Sequence, residues 1–182
     1  MRPAARLRKA APAKARLRLL RGLILDCDGV LTPGDLFYDE QGHRWLRFDV
    51  KDGFALAVLC NSDVQVAVLS GRQVDIAELR LRDVGVKHFR GECRDKAAGV
   101  RELCAAMSID PTACAFVGDD LPDLPAFRAV GLKIAVADAA PEVIAAAEWV
   151  TRLRGGRGAV REICETILKA RGDWQAQLRR WT

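Results

Sequence analysis

Histidine is scarce in this chain, whose 182 residues include only His43 and His88. Neither belongs to the polar groups that directly follow the predicted strands, so a Ser/His/Asp triad is excluded. The apolar runs are also short, and none approaches the roughly 20 residues that a transmembrane helix needs. The basic N-terminal stretch lacks an apolar region and a small-residue cleavage site, so we expect no signal peptide and a cytoplasmic protein.

Paired cysteines are also missing, because no two of the six cysteines form a C-x-x-C motif. Scattered thiols within apolar strand and helix patterns indicate neither a zinc site nor a disulfide framework. They favour a reduced set of thiols in a cytoplasmic protein. The six are Cys27, Cys60, Cys93, Cys104, Cys114 and Cys164.

Acidic residues are absent from residues 1–22, which carry eight Arg or Lys, whereas residues 23–151 carry 21 acidic and 13 basic side chains. Residues 152–182 are basic again, and the net charge is +5. A basic arm can contact nucleic acid or an anionic membrane, but we interpret it as a solvated arm before a first helix and expect neither partner. The acidic middle is more informative, because clustered carboxylates usually bind a cation.

Helix and strand patterns alternate along the chain, which predicts an α/β fold with a Rossmann-like parallel sheet sandwiched by helices. The length of the chain suits one hydrophobic core, so we assign residues 1–182 to a single domain. Residues 1–12 are predicted to form a flexible basic arm, residues 35–50 a β-hairpin insert, and residues 171–182 a C-terminal tail. The predicted strands cover residues 23–27, 64–69, 86–89, 113–117, 132–136 and 148–150. The predicted helices cover residues 13–21, 54–59, 73–83, 96–107, 122–129, 141–147 and 158–170.

Polar side chains stand where the predicted strands end. One apolar strand runs into Asp26 and Asp28, another ends in Ser70, a helix begins at Lys96, and a later strand ends in Asp119. Parallel strands with right-handed crossovers bring these ends to one crevice. Several carboxylates there need a counterion, and Mg²⁺ suits oxygen ligands combined with a substrate phosphate. The pattern therefore predicts a magnesium and phosphate site, with a hydroxyl and an ammonium group for the phosphoryl oxygens.

Four motifs in this order resemble the haloacid dehalogenase-like superfamily of phosphatases. They are Asp26-Cys27-Asp28-Gly29-Val30-Leu31-Thr32, Ser70-Gly71-Arg72, Lys96, and Gly118-Asp119-Asp120-Leu121-Pro122-Asp123. More narrowly, the chain resembles the 3-deoxy-D-manno-octulosonate 8-phosphate phosphatases, over about residues 15–170. Further segments carry this likeness, namely Phe48 to Gly53, Val130 to Leu132, Ala135 to Ala139, and Gly155 to Glu162.

The resemblance implies a mechanism and a substrate. Asp26 would form an aspartyl-phosphate, Asp28 would act as acid and then base, and Lys96 and Ser70 would hold the phosphoryl group. The implied Mg²⁺ ligands are Asp26, Asp28 and Asp119. The implied reaction releases the free sugar acid and phosphate during lipopolysaccharide precursor synthesis. Alternatives are a nine-carbon sugar-acid 9-phosphate, another small phosphomonoester, or a non-catalytic regulatory or anion-binding protein.

The predicted substrate-binding residues extend beyond the strand ends. They are Asp28, Asp49, Val50, Lys51, Asp52, Gly53, Gly71, Arg72, Arg80 and Lys96. Two alternatives stay open for Arg72 and Arg80, which either bind the substrate or line a solvated helix. Asp120 and Asp123 either hold water near the metal or form a helix N-terminus. The sequence departs from the family pattern at Ala57, where an Arg is usual, and at Asp49, where an Asn is common.

The spacing between motifs leaves no room for a cap domain. Only 41 residues separate Asp28 from Ser70, and 22 separate Lys96 from Asp119. The site of such a capless fold must lie open or be covered by another subunit, which favours a homo-oligomer. The resemblance implies that the subunits form a homotetramer. We expect hairpin 35–50 to form the interface, with Asp49 to Gly53 lining a neighbour's site and the Arg157 region and tail closing over it.

Overall fold

The computed structural model describes residues 9–73 and 75–180 and shows one six-stranded parallel sheet with helices around it. The strands are β1 (Gly22–Leu25), β4 (Gln65–Leu69), β5 (His88–Arg90), β6 (Cys114–Gly118), β7 (Leu132–Ala135) and β8 (Trp149–Val150), in the order β5-β4-β1-β6-β7-β8. A separate antiparallel pair consists of β2 (Phe37–Tyr38) and β3 (Arg44–Trp45). The predicted α/β class and the small hairpin are confirmed.

Eight α-helices accompany the strands within these residues. They are α1 (Lys14–Arg18), α2 (Val50–Cys60), α3 (Asp75–Asp83), α4 (Lys96–Ala106), α5 (Leu124–Phe127), α6 (Pro141–Ala146), α7 (Ala159–Arg171) and α8 (Trp174–Leu178). Helix α7 packs against α1, α2 and α8, and α4 packs against α5. In this part of the chain no helix has the length and hydropathy of a membrane span.

The centre of the sheet is fully apolar. Every residue of β1 and β6 is buried, as expected for parallel strands covered on both faces. Strand β1 pairs in parallel with β4 on one side and with β6 on the other. The residues that follow these three strands, Asp26, Ser70 and Asp119, therefore meet at one edge of the sheet.

Several boundaries differ from the sequence prediction. The predicted helix 54–59 begins earlier, because Asp49 caps α2 by accepting hydrogen bonds from the backbone amides of Lys51 and Asp52. The predicted helix 122–129 is instead a 3₁₀ turn, Leu121–Asp123, followed by the short α5. Prolines near the start of both pieces suit such short first turns.

The chain ends pack on the domain where the structure describes them. Lys9 donates hydrogen bonds of 2.7 Å to the carbonyls of Ala145 and Ala147, and its own carbonyl accepts from Val150. The rest of the predicted arm, residues 1–8, lies outside the described residues. In the tail, Trp174 is buried and lies close to the guanidinium of Arg161, so α8 rests on its own chain.

Candidate active site

The turn after β1 is shaped by a glycine. The Asp26 amide donates to the Val117 carbonyl at 3.0 Å, which continues the sheet pairing, and residues Cys27–Leu31 then form a tight turn. Within it Gly29 has a φ of +88°, a conformation that side chains disfavour. A Cβ on Gly29 would also lie 2.1 Å from the Oδ2 atom of Asp119. The glycine therefore lets the turn lie directly against the Asp119 carboxylate.

Lys96 enters the crevice from the first turn of α4, whose N-terminus is capped by Asp95. Its Nζ donates a 2.7 Å hydrogen bond to Oδ1 of Asp26 and a second bond to Oδ1 of Asp123. All three side chains are buried. Burial lowers the pKa of Lys96, but the carboxylates of Asp26 and Asp123 outweigh it, so the pKa is raised and the ammonium stays charged.

Asp123 organises the loop after β6 as well as contacting Lys96. Its Oδ2 accepts hydrogen bonds from the amides of Asp119 at 2.9 Å and Asp120 at 3.3 Å. The exposed Asp120 side chain accepts from the Leu121 amide, which completes a reciprocal cap of the 3₁₀ turn. The sequence leaves two roles open for Asp120, and its hydrogen bonds are those of a residue at the N-terminus of a helical turn.

The carboxylates at this edge fit a divalent cation. Asp26, Asp119 and Asp123 each offer an oxygen within 4.8 Å of the others, and Lys96 is the ammonium in contact with two of them. Burial, with the Asp123 charge, raises the pKa of Asp26 to about 7 despite Lys96. Burial, with the charges of Asp26 and Asp123, raises the pKa of Asp119 to about 8. Because Asp123 is already engaged by three donors, Asp26 and Asp119 retain the oxygens best placed for a metal.

The turn after β4 forms the opposite wall. Ser70 is buried, and its Oγ accepts from the Arg72 amide at 3.1 Å. The Cys93 amide donates to the Ser70 carbonyl at 3.0 Å, which ties this turn to the segment before α4. Nε of Arg72 lies 3.6 Å from Oδ2 of Asp28, so an arginine faces the predicted acid and base.

These turns enclose an open, polar cleft at the carboxyl edge of the sheet. It is lined by Asp26, Asp28, Gly34, Ser70, Gly71, Arg72, Lys96, Asp119, Asp120, Pro122 and Asp123. Carboxylates, one ammonium, one guanidinium and one hydroxyl thus converge on a space open to solvent. This donor set can hold a cation and a phosphate together.

Comparison with known proteins identifies the family. The sequence model of the haloacid dehalogenase-like hydrolases matches residues 92–163. The 3-deoxy-D-manno-octulosonate 8-phosphate phosphatase of Yersinia pestis is 42% identical over 151 residues, which cover 83% of this chain and 81% of that protein. The chain is a haloacid dehalogenase-like phosphatase. The phosphomonoester hydrolase predicted from the motifs is therefore confirmed.

The fold of this phosphatase agrees with that of solved structures over nearly the whole chain. The 3-deoxy-D-manno-octulosonate 8-phosphate phosphatase of Moraxella catarrhalis, in complex with magnesium ion, phosphate ion and a KDO molecule, superposes with a TM-score of 0.89 at 32% identity. That match covers 93% of this chain and 97% of the other. The cobalt-bound enzyme of Haemophilus influenzae has a TM-score of 0.83 at 41% identity, covering 86% and 92% of the two chains.

Some predicted substrate-binding residues of the phosphatase lie away from the cleft of their own chain. Arg80 packs on Gly53, where an added Cβ would lie 2.0 Å from the Nη2 atom of Arg80, in a depression shared with Asp49 and Asp52. Asp52 is buried, and its carboxylate accepts hydrogen bonds from the backbone amides of Gly158 and Arg161. Any part that these residues play in a neighbouring subunit's site stays a prediction.

Val50 and Lys51, in contrast, are exposed at the start of α2. The hairpin also exposes apolar side chains. Phe37, Tyr38 and Trp45 are 47%, 57% and 63% exposed. They border a narrow hollow that reaches Asp28 and Arg72 and has mostly apolar walls. This surface suits the predicted contact with another subunit, which stays a prediction.

Sequence reasoning missed the direct contact between Asp123 and Lys96. The signal was the Gly118-Asp119-Asp120-Leu121-Pro122-Asp123 segment, since a proline after a capping residue starts a turn. A turn of that length brings Asp123 back beneath the amides of Asp119 and Asp120. Its buried carboxylate is thereby directed at the ammonium that also contacts Asp26.

Proposed function

We propose that this phosphatase hydrolyses 3-deoxy-D-manno-octulosonate 8-phosphate to the free sugar acid and inorganic phosphate, with Mg²⁺ as cofactor, in lipopolysaccharide precursor synthesis. The observation that carries the proposal is Asp26, a buried carboxylate held by Lys96 beside Asp119. The names of the similar proteins from Yersinia pestis and Moraxella catarrhalis support the sugar-acid phosphate as substrate. All six cysteines are free thiols, which supports a cytoplasmic location.

In the first step Asp26 attacks phosphorus. One oxygen of its carboxylate forms a bond to phosphorus as the bond between phosphorus and the sugar oxygen breaks, which leaves an aspartyl-phosphate. The hydrogen bond from Lys96 holds the Asp26 side chain in place through Oδ1 and leaves its other oxygen for attack. Asp28 donates a proton to the departing sugar oxygen, so the leaving group is a neutral hydroxyl.

In the second step a water molecule attacks the phosphorus of the aspartyl-phosphate. Asp28, now ionised, takes the water proton, and inorganic phosphate leaves as the Asp26 carboxylate is restored. Nε of Arg72, 3.6 Å from Oδ2 of Asp28, faces this carboxylate across the cleft. Ser70 and Lys96 donate hydrogen bonds to the phosphoryl oxygens in both steps.

The carboxylates of Asp26 and Asp119, with the backbone carbonyl of Asp28, are the proposed metal ligands. When bound, Mg²⁺ supplies positive charge that neutralises the phosphoryl oxygens and the attacking carboxylate. Without a cation the pKa values of Asp26 and Asp119 lie near 7 and 8. The residues themselves therefore need this charge in order to be fully ionised at neutral pH.

Phosphate release tests both the reaction and the substrate. The substrates are 3-deoxy-D-manno-octulosonate 8-phosphate, a nine-carbon sugar-acid 9-phosphate and a simple sugar phosphate, each with Mg²⁺ or EDTA. We expect the eight-carbon substrate to be preferred, and Asp26→Asn or EDTA to abolish turnover. The exposed Asp83→Asn is the matched control and should retain activity. Turnover that survives Asp26→Asn would contradict the mechanism, and equal turnover of all substrates would contradict the assignment.

The covalent intermediate can be trapped separately. Asp28→Asn keeps the nucleophile but can neither protonate a sugar leaving group nor take the proton from water. With p-nitrophenyl phosphate, whose leaving group needs no proton, the aspartyl-phosphate should therefore form and accumulate. Mass spectrometry of a rapidly quenched mixture should locate one phosphoryl group on the peptide that contains Asp26. The same modification on Asp119, or none on either peptide while phosphate is released, would exclude this route.

A further inference from the structure

Asp52 lies in α2, away from the cleft, yet it caps a helix more than 100 positions later in the chain. Its Oδ2 accepts from the Gly158 amide at 3.1 Å and its Oδ1 from the Arg161 amide at 2.7 Å. Its side chain is 2% exposed. Helix α7 thus receives its N-terminal cap from another helix, because its own cap residue, Gly158, has no side chain.

The absence of a local cap has a geometric cause. Gly158 has a φ of +102°, a value at which the usual capping residues are strained. The chain turns sharply there, because the preceding glycines must lie against another backbone segment. An oxygen acceptor for the first turn of α7 must therefore come from elsewhere in the fold, and Asp52 is that acceptor.

The segment before α7, residues 152–158, is held by carboxylates along its length. Glu162 accepts from the amides of Arg152 at 2.9 Å and Leu153 at 3.2 Å. Asp138 accepts from the Gly155 amide at 3.0 Å. With Asp52 on Gly158, three carboxylates thus fix the backbone of this glycine loop.

The glycine loop contacts the turn that carries Asp28. The Gly156 amide donates to the Val30 carbonyl at 2.8 Å. A Cβ on Gly155 would lie 1.6 Å from the carbonyl oxygen of Gly29, and a Cβ on Gly156 would lie 2.3 Å from the carbonyl carbon of Thr32. The two backbones therefore pack at a distance that only glycine permits.

We propose that Asp52 is a positioning residue for phosphoryl transfer: it holds the glycine loop 152–158 against the turn that follows Asp26. This turn has no regular helical geometry at Asp28 and Gly29, so its shape depends on what packs against it. The hydrogen bond from the Gly156 amide fixes the position of the Val30 carbonyl. The turn held in this way directs Asp28 towards the cleft. The kinetic part of this inference rests on the proposed function.

Two variants test the inference in the full-length protein. Asp52→Asn is nearly isosteric but replaces one of the two carboxylate acceptors by an amide. We expect kcat to fall about tenfold with KM little changed, since misplacing a reacting group slows chemistry more than binding. Gly155→Ala leaves Asp52 intact but forces the loop off the turn, and it should lower kcat in the same way. The kcat of the double variant should be no lower than that of the less active single variant, because both substitutions act through the same contact.

A readout without substrate separates this inference from the proposed function. Amide hydrogen exchange at Gly156 should be about tenfold faster in Asp52→Asn, because its bond to Val30 opens more often. Asp110→Asn is the matched control, since the exposed Asp110 caps a 3₁₀ turn before β6, at the opposite edge of the sheet. It should change neither kcat nor exchange at Gly156.

The outcomes are distinct. The positioning role is overturned if Asp52→Asn lowers the melting temperature but leaves kcat and Gly156 exchange at wild-type values. Additive losses of kcat in the double variant would also overturn it. A wild-type protein without phosphatase activity would contradict the proposed function, whereas faster Gly156 exchange in Asp52→Asn would still support the clamp of loop 152–158 on the turn.

Discussion

The Nζ atom of Lys96 lies 2.7 Å from Oδ1 of Asp26, and both side chains are almost fully buried. The same ammonium contacts Asp123, so one cation is paired with two buried carboxylates. Such a group is costly to remove, because each partner left behind is a buried charge. The site therefore couples the chemistry of the phosphatase to its stability.

Lys96→Met should abolish phosphate release and lower the free energy of unfolding. The loss should be on the order of 3 kcal/mol near pH 8, and smaller near pH 5, where Asp26 can be protonated. Urea denaturation at both pH values in EDTA measures it. The exposed Lys87→Met is the control and should behave as wild type. An equal loss at both pH values would show that the carboxylates are not the cause.

Gly29→Ala should impair folding and activity for two reasons, a positive φ and an overlap with Asp119. Gly42 is the matched control, because its φ is +82° but nothing lies within 4 Å of the position that an added methyl group would take. Gly42→Ala should therefore cost only the backbone strain, about 1 kcal/mol. Thermal melts and kcat of both variants separate the two effects. Equal effects of both substitutions would mean that the contact with Asp119 contributes nothing.

The stability of the metal-free protein should fall as pH rises from about 4 to 8. The pKa values of Asp26 and Asp119 rise from 3.8 to about 7 and about 8 in the folded state, so this state binds more protons than the unfolded chain in that range. The associated stability is complete below pH 4 and is lost as pH passes through the folded-state values. Urea titrations in EDTA should show this trend, and Asp119→Asn should reduce its slope. A slope unchanged by Asp119→Asn would contradict the prediction.

Asp123→Asn should lower kcat far more than Asp120→Asn. Asp123 holds Lys96 and two loop amides from a buried position, whereas Asp120 caps an exposed turn. Losing the buried charge frees Lys96 from one partner and loosens the Asp119 loop, which we expect to cost about 100-fold in kcat. Steady-state kinetics at saturating Mg²⁺ provides the comparison. Similar losses in the two variants would argue that Asp123 acts only as a cap.

The exposed hairpin should mediate self-association. Phe37, Tyr38 and Trp45 form an apolar surface beside the cleft, and such surfaces commonly mark interfaces. Trp45→Asp should shift the protein from an oligomer to a monomer in light scattering, with reduced turnover. Leu19→Asp, which alters an exposed leucine on the N-terminal side of β1, should leave the oligomer intact. A wild-type monomer with full activity would contradict the homotetramer.

Much of the fold followed from local patterns. The apolar runs of β1, β4 and β6 are buried on both faces, so periodicity and length predicted them well. The helix after Asp119 was predicted less well, because prolines divide it into a 3₁₀ turn and the short α5. Its boundaries depend on the reciprocal cap between Asp120 and Asp123, which involves side-chain geometry that a sequence pattern does not contain.

The sequence by itself determined which chemistry the edge of the sheet carries. Asp26, Ser70 and Asp119 each follow an apolar strand, and parallel pairing obliges such positions to meet. Only the tertiary structure decided how these groups are held. The contact of Lys96 with Asp123 and the cap that Asp52 supplies to α7 join residues far apart in the chain. Such contacts depend on how whole elements pack, and local propensity carries no information about them.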